Sequence, residues 1–218
     1  MHKSMCIIPA RGGSKRIPRK NIKDFRGKPI IAYSIETALK SGLFDEVIVS
    51  TDCEEIKKVS LEYGANVPSL RSNSNSGDHA PIVDVMDEVL ESFNPTYVCC
   101  LFPAAPLVHG NMLRDAFNLL LSSDFDSVRP VVKYSHPIKR AMKLSKDSGV
   151  EWLFPESANL RTQDTEVFFH DAGQFYWFKN INGGLRSDKR GAIVVSESEV
   201  QDIDDMNDWY LAELKLKK

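Results

Sequence analysis

The 218-residue sequence predicts an α/β fold in which helices flank a mostly parallel sheet. Two observations predict this class. Short apolar segments typical of strands alternate with amphipathic segments typical of helices as far as residue 133. The strand-like segments, such as YVCCLF at 97–102, are also apolar at consecutive positions, as expected for strands covered on both faces. The length suits one domain, so we predict a single domain over residues 1–218.

The elements of the first half follow one another in a regular order. CIIPA (6–10) is predicted as a buried strand, and DEVIVS (45–50), YVCCLF and DSVRPVVK (126–133) as the next strands. Helices are predicted between them at 29–42, 54–64, 80–93 and 111–123, where apolar residues recur at helical spacing. Gly42 and Gly64 supply the stop signals for the first two helices.

The order loosens in the second half of the chain. Residues 134–170 mix Pro, His and Lys with short apolar pieces, and we predict a flap or dimerisation insertion there. Strands are predicted again for QFYWF (174–178) and AIVVS (192–196). A terminal helix is predicted for DDMNDWYLAELKLK (204–217), since Met206, Trp209 and Leu214 are available for packing.

Composition and charge limit the kinds of ligand and macromolecule that the protein is expected to bind. A net charge of −2 argues against a general nucleic-acid or membrane binder. The four cysteines lack metal-ligand spacing and form no disulfide framework, and no long apolar stretch suggests a membrane span. A reducing cytoplasm is therefore the expected location. Residues 1–28 nevertheless hold nine Lys or Arg and one acid, Asp24, which indicates a compact anionic ligand.

The positive charge concentrates in IIPARGGSKRIPRKN (7–21), directly after the first predicted strand. Ligands of open α/β sheets bind beyond the carboxyl ends of the strands, where this segment lies. Gly12 and Gly13 allow close approach of backbone N–H groups to phosphate, and Arg11 and Lys15 add charge-assisted hydrogen bonds. The spacing matches neither a P-loop nor G-x-G-x-x-G. A solvated basic loop is the structural alternative, which the glycine pair after a buried strand disfavours.

A second motif, VQDIDD (200–205), supplies carboxylates. Asp202 and Asp204 are two residues apart, so an extended segment places both on one face. Mg²⁺ typically takes one or two protein carboxylates and completes its shell with water and phosphate. The alternative is that Asp204 caps the helix that begins near Asp205.

These motifs together resemble the acylneuraminate cytidylyltransferases, the CMP-sialic acid synthetases. The resemblance runs from IIPARGGSKRIPRKN through GKPIIAYSIE, DEVIVSTD and LRSNSNSGD to VQDIDDMNDW, and so spans essentially the whole chain. HDAGQFYWF and FPAAPL are more similar to the branch that activates pseudaminic acid. The resemblance implies a Rossmann-like nucleotide-diphospho-sugar transferase fold. It also implies a Mg²⁺-dependent reaction of CTP with a nine-carbon α-keto acid sugar, usually by a homodimer, and the composition above predicts that neither nucleic acid nor membrane is a partner.

The resemblance and the residue chemistry nominate site residues. The nucleotide candidates share the basic loop and the segment near LRSNSNSGD: Ala10, Arg11, Gly12, Gly13, Lys15, Lys20, Asn21, Arg71 and Asp78. Arg11 and Lys15 are also the catalytic candidates, and Asp202 and Asp204 the metal ligands. The sugar candidates are Lys139, Arg161, Gln163, Gln174 and Tyr176. Phe102, Ala104 and Ala105 depart from the Gln-Pro-Thr-Ser-Pro of the sialic acid branch, where side chains would read cytosine.

Two alternatives stay open at this point. One is the same reaction on N-acetylneuraminate, legionaminate or KDO. The other is a nucleotide-binding regulatory module without turnover. No Ser/His/Asp constellation stands out in the sequence, and a covalent intermediate is not needed if the hydroxyl of the sugar attacks CTP directly.

Overall fold

A computed structural model of the protein describes residues 3–181 and 183–216. Five helices share one pattern, with an apolar side facing the sheet or its neighbours: α1 (Ile30–Ser41), α2 (Glu54–Glu62), α3 (Ile82–Leu90), α4 (Gly110–Ser122) and α5 (Met206–Lys215). The strands are β1 (Ser4–Pro9), β2 (Asp24–Phe25), β3 (Lys28–Pro29), β4 (Glu46–Ser50), β5 (Tyr97–Leu101), β6 (Ser127–Lys133), β7 (Met142–Leu144), β8 (Val150–Trp152), β9 (Phe169–Asp171), β10 (Phe175–Lys179) and β11 (Arg190–Val195).

The central sheet has the strand order β11-β6-β10-β5-β1-β4, and β9 pairs with β6. β1 pairs in parallel with β4 and β5, and β11 pairs in parallel with β6. β10 lies antiparallel between β5 and β6, and β9 is antiparallel to β6. Five strands of this sheet therefore share one direction, which confirms the predicted α/β class with a mainly parallel sheet.

Helices cover both faces of the sheet. On one face α1, α2 and α4 bury Ile35, Ile56 and Leu113 against Cys6, Cys99 and other apolar strand residues. On the other face α3 packs Val85 and Met86 against β1 and β5. A smaller cluster joins Ile17, Phe25, Ile30 and Ile203 to Trp209 of α5, and so ties the basic loop to the acidic segment.

The predicted elements are present, with ends shifted by a few residues. QFYWF is a strand as predicted, but it is inserted antiparallel into the sheet. A short strand, β9, was not predicted. Both differences have one cause: the chain returns from the 134–170 insertion toward the carboxyl ends of the parallel strands, so the strand that follows must run back down the sheet.

The 134–170 insertion lies largely outside the central sheet. It contains the hairpin β7–β8 and single 3-10 turns at Ile138–Arg140, Pro155–Ser157 and Thr162–Asp164. Met142, Leu144 and Val150 of the hairpin are all exposed. Within residues 3–181 and 183–216, we find no helix of the length and hydrophobicity needed to span a membrane.

Candidate active site

A cleft of about 310 Å³ lies beyond the carboxyl ends of β1 and β5. Four segments converge on it: the basic loop after β1, the loop after β5, the chain from Gly173 into β10, and the acidic segment. Its lining consists of Pro9, Arg11, Ser14, Lys20, Asn21, Phe102, Pro103, Ala104, Gly173, Tyr176, Asp202 and Ile203. The position is the one expected for a ligand site in this class of fold.

Backbone and amide contacts fix the start of the basic loop. Ala10 donates its N–H to the Ser50 carbonyl at 2.8 Å, and Gly12 donates to Oδ1 of Asp52 at 2.7 Å. A Cβ at position 12 would lie 2.9 Å from the Cβ of Cys53, so only glycine fits there. Asn21 is buried and its Nδ2 donates to the Arg11 carbonyl at 2.9 Å. Asn21 therefore shapes the turn that presents Arg11 to the cleft.

Carboxylates from outside the loop pair with its cations. Arg11 contacts Asp78 at 2.6 Å, and Lys15 contacts the other oxygen of the same carboxylate. Hydrogen bonding to Lys15, with the two positive charges, lowers the pKa of Asp78. Arg16 contacts Asp204 at 2.7 Å. The side chains of Arg11, Lys15 and Arg16 are at least one-third exposed, so an incoming anion can reach all three.

The acidic segment adjoins these cations. Burial raises the pKa of Asp202, and the negative charge of Asp204 acts in the same direction. Lys20 donates from Nζ to the Ile203 carbonyl at 2.7 Å, and burial lowers the pKa of Lys20 although Asp204 and Asp202 oppose that shift. The structure thus places Lys20 and Asp202 in the lining of the cleft, and Asp204 is near enough to interact electrostatically with both.

Asp204 does not cap α5. The cap is Asp205, whose Oδ1 accepts from the N–H groups of Asn207 at 2.8 Å and Asp208 at 3.1 Å. Asp208 completes a capping box by accepting from the N–H of Asp205 at 3.1 Å. The capping alternative for Asp204 is therefore wrong, and its carboxylate points to Arg16 instead.

The chemistry of the two carboxylates fits a hard divalent cation. Among the described residues, no three His, Cys, Asp or Glu side chains are grouped closely enough to hold a metal ion by themselves. Mg²⁺ needs only one or two protein carboxylates when phosphate and water complete its shell. Mutual repulsion between Asp202 and Asp204 would be relieved by a cation between them, so the pair fits Mg²⁺.

Of the sugar candidates, Tyr176 lines the cleft. Burial raises the pKa of its hydroxyl far above the ordinary value, and the Asp171 carboxylate acts in the same direction. The Tyr176 ring packs edge-on against Phe102 at 5.4 Å, and the Arg129 guanidinium lies 4.5 Å from its centroid. Arg129 also donates to Asp171 at 3.0 Å. Sequence reasoning missed Arg129 and Asp171, because only the pairing of β6 with β9 and β10 brings them together.

Gln174, another sugar candidate, lies outside the lining of the cleft. Its side chain is fully buried, and Nε2 donates to the backbone carbonyls of Ala172, Gly173 and Gln201 at 3.1, 3.3 and 3.1 Å. The burial and the three backbone acceptors explain why this amide does not line the cleft. The reason is local: backbone carbonyls of the turn before β10 and of Gln201 accept from the Gln174 amide.

The remaining candidates lie away from the cleft. Arg71 is buried and holds Ser50 at the end of β4 through the Ser50 hydroxyl and carbonyl. Lys139, Arg161 and Gln163 are exposed on the insertion, where Arg161 pairs with Asp164 at 2.6 Å. Gly13 precedes Ser14 of the cleft lining, and a Cβ added at Gly13 would meet no atom within 4 Å.

Sequence comparisons identify the family of the chain. The family model described as "Cytidylyltransferase" matches residues 5–196. Pseudaminic acid cytidylyltransferase of Campylobacter jejuni (strain 81-176) is 41% identical over 99% of this chain and 97% of its own length. CMP-N,N'-diacetyllegionaminic acid synthase of Legionella pneumophila is 31% identical over 96% of this chain and 94% of its own. N-acylneuraminate cytidylyltransferase A of Danio rerio is 34% identical, and the match covers 97% of this chain but 50% of that protein.

Solved structures agree on the fold. CMP:2-keto-3-deoxy-manno-octonic acid synthetase, determined in complex with CTP, has a TM-score of 0.73 at 16% identity and covers 99% of this chain and 98% of that one. A 4-diphosphocytidyl-2C-methyl-D-erythritol synthase from Anaerococcus prevotii has a TM-score of 0.65 at 14% identity, and covers 100% and 99%. With a matching family model and relatives above 30% identity along nearly its whole length, the chain belongs to the cytidylyltransferase family.

Proposed function

We propose that this cytidylyltransferase activates pseudaminic acid with CTP, giving CMP-pseudaminic acid and pyrophosphate. The observation that carries the proposal is the 41% identity to pseudaminic acid cytidylyltransferase along the whole chain, combined with a cleft that joins the basic loop to Asp202 of the acidic segment. The anionic nucleotide would lie along the basic loop. The sugar would occupy the side of the cleft that Tyr176 and Phe102 form.

In the proposed reaction the anomeric hydroxyl of the sugar attacks the α-phosphorus of CTP in line, and pyrophosphate leaves. Transfer of this kind asks the protein mainly for positioning and charge stabilisation. Arg11 and Lys15 would release Asp78 and donate to phosphate oxygens as charge develops there. Asn21 would hold the Arg11 backbone in place during this exchange.

We propose Mg²⁺ as the metal and Asp202 and Asp204 as the residues that hold it. When bound, it would supply charge neutralisation at the phosphate oxygens. Arg16 would then leave Asp204 and become available to the triphosphate. Lys20, which donates to the Ile203 carbonyl, would keep the acidic segment beside the cleft throughout.

We also propose that the protein works as a homodimer in a reducing compartment such as the cytoplasm. All four cysteines are free thiols. The β7–β8 hairpin pairs Met142 with Trp152 and Leu144 with Val150, so these side chains share one face, which we call the apolar hairpin face. An exposed apolar surface of this kind is typical of an interaction site.

A turnover assay tests the proposed function. We expect pyrophosphate release that requires CTP, Mg²⁺ and a keto-acid sugar together, with a CMP-sugar as the second product by mass spectrometry. A panel of pseudaminic, legionaminic, N-acetylneuraminic acid and KDO identifies the sugar. Binding of CTP without turnover on any member of the panel would contradict the proposal and leave the regulatory module.

A further inference from the structure

Side chains hold the acidic segment 200–204 in place. Its residues form no strand pairing in the described part of the chain. Each successive carbonyl accepts a hydrogen bond from a side chain instead: Val200 from Lys215 at 2.7 Å, Gln201 from Gln174 at 3.1 Å, Asp202 from the side chain of Gln201 at 3.1 Å, and Ile203 from Lys20 at 2.7 Å. These four donors, together with the buried side chains of Val200 and Ile203, hold Asp202 in place.

Gln174 differs from the other donors because it is fully buried and reaches two segments at once. Its amide nitrogen donates to Ala172 and Gly173 in the turn before β10, and to Gln201 immediately before Asp202. The backbone carbonyl of Gln174 accepts from the backbone N–H of Phe102 at 2.9 Å, and this bond connects Gln174 to the loop after β5. One residue thus connects the cleft wall, the turn and the acidic segment.

The turn that Gln174 holds lies directly against Asp202. Gly173 has φ +62°, and a Cβ built there would lie 3.1 Å from both Cγ and Oδ2 of Asp202. The N–H of Gly173 donates to Oδ1 of Asp171 at 2.8 Å, and Arg129 holds the other Asp171 oxygen. The backbone of Gly173 therefore forms one wall beside the Asp202 carboxylate, with fixed support behind it.

We propose that Gln174 is a positioning residue for the metal-binding carboxylate, which it holds by bonding the Gln201 carbonyl to the Gly173 turn. The inference rests on the proposed function, since it assumes that Asp202 binds Mg²⁺. Gln174 does not line the cleft, so this role requires no contact with either substrate. Loss of a partner that orients a metal ligand typically costs about 10–100-fold in metal affinity or activity.

The test replaces Gln174 by methionine, which keeps the length of the side chain and removes its donors. The control is Asn180→Leu, which removes one amide-to-carbonyl bond, to Pro95, just past the opposite end of β10. Mn²⁺ is titrated into each protein with CTP but no sugar, and free Mn²⁺ is followed by its electron paramagnetic resonance signal against CTP alone. The Mg²⁺ concentration for half-maximal rate and the KM for sugar are measured in parallel.

We expect Gln174→Met to weaken Mn²⁺ binding and raise the half-maximal Mg²⁺ concentration by about 10-fold or more, with the KM for sugar within about twofold of wild type. Asn180→Leu should leave all three unchanged. A raised KM for sugar with wild-type metal affinity would overturn the inference and indicate that Gln174 contacts the sugar. Wild-type metal affinity and kinetics in Gln174→Met would overturn it as well.

Two further arms keep the outcome decisive. If Gln174→Met does not fold, Gly173→Ala alters the same wall from the cleft side and should weaken Mn²⁺ binding in the same way; unchanged binding overturns the inference. If wild type binds Mn²⁺ but turns over no sugar, the proposed function fails, while loss of Mn²⁺ binding in Gln174→Met still supports the positioning role. A wild type that binds no Mn²⁺ with CTP present contradicts the inference.

Discussion

At the residue scale, Arg11 is the cation whose role follows most directly from its position. It lines the cleft, its side chain is 36% exposed, and its partner Asp78 keeps a second contact with Lys15. We expect Arg11→Ala to fold normally and to lose about 10²–10³-fold in rate, as when one preorganised charge donor is removed. Steady-state pyrophosphate release measures the effect.

The matched control for Arg11 is Arg19→Ala. Arg19 lies in the same basic loop, contacts Glu55 at 2.5 Å and does not line the cleft. Its removal changes the charge of the loop equally and should leave the rate within a few-fold of wild type. A rate within threefold of wild type in Arg11→Ala, or an equal loss in both variants, would rule out a specific phosphate contact.

Asp202 combines a site role with a cost to the fold. Burial and the negative charge of Asp204 raise the pKa of Asp202, so the folded protein holds the carboxyl proton of Asp202 more tightly than the unfolded chain does. Stability is therefore lost as pH rises from the ordinary aspartate value through the raised one. We expect metal-free Asp202→Asn to have a Tm at pH 7 at or above that of wild type, and to need more Mg²⁺ for activity. A lower Tm with unchanged Mg²⁺ dependence would contradict both parts.

At the element scale, α5 separates capping from metal binding. Asp205→Ala removes the acceptor for two helix N–H groups and should cost about 0.5–2 kcal/mol in the free energy of unfolding, measured in urea. The Mg²⁺ dependence should not change. Asp204→Ala loses only an exposed ion pair with Arg16, which contributes about 0–1 kcal/mol, and should raise the Mg²⁺ requirement. A loss of stability in Asp204→Ala together with a raised Mg²⁺ requirement in Asp205→Ala would indicate that Asp204 is the cap.

The elements themselves were predictable because their signals are local. Apolar periodicity and the glycines at 42 and 64 placed α1 and α2 within two residues of their observed ends. The direction of β10 was not predictable, since QFYWF has the same pattern whichever way the strand runs. Gln174 shows the same limit: the local pattern does not reveal that the Gln201 carbonyl, 27 residues away in sequence, accepts from its amide.

At the scale of the whole molecule, the apolar hairpin face predicts a dimer. We expect wild type to sediment as a dimer, and Leu144→Lys combined with Val150→Lys to sediment as a monomer, because both side chains are exposed within one protomer. Lys143→Ala with Glu151→Ala, on the opposite hairpin face, should remain dimeric. A monomeric wild type would exclude the dimer. A dimeric lysine variant would show that the interface lies elsewhere.

The sequence predicts site residues that belong to one compact motif better than residues that come together from distant parts of the chain. The basic loop and the acidic segment were recognisable because each is a compact motif, and the structure brings Arg11, Lys20, Asn21 and Asp202 into one cleft. The structure does not place the sugar candidates of the 134–170 insertion in the cleft lining. The position of this insertion depends on long-range contacts that no local sequence pattern encodes. Asp171 escaped notice for the same reason: its partners Arg129 and Gly173 meet it only through strand pairing and a turn.

The most direct test of the account compares two sugars on the wild-type protein. At saturating CTP and Mg²⁺, kcat/KM is measured for pseudaminic acid and for N-acetylneuraminic acid by pyrophosphate release. Pseudaminic acid has a methyl where the other sugar has a hydroxymethyl, and Tyr176 and Phe102 offer an apolar wall that favours the methyl. We predict a preference for pseudaminic acid of up to about 10²-fold, the usual limit for rejecting an added hydroxyl in an apolar pocket. Equal or better use of N-acetylneuraminic acid would contradict the assignment.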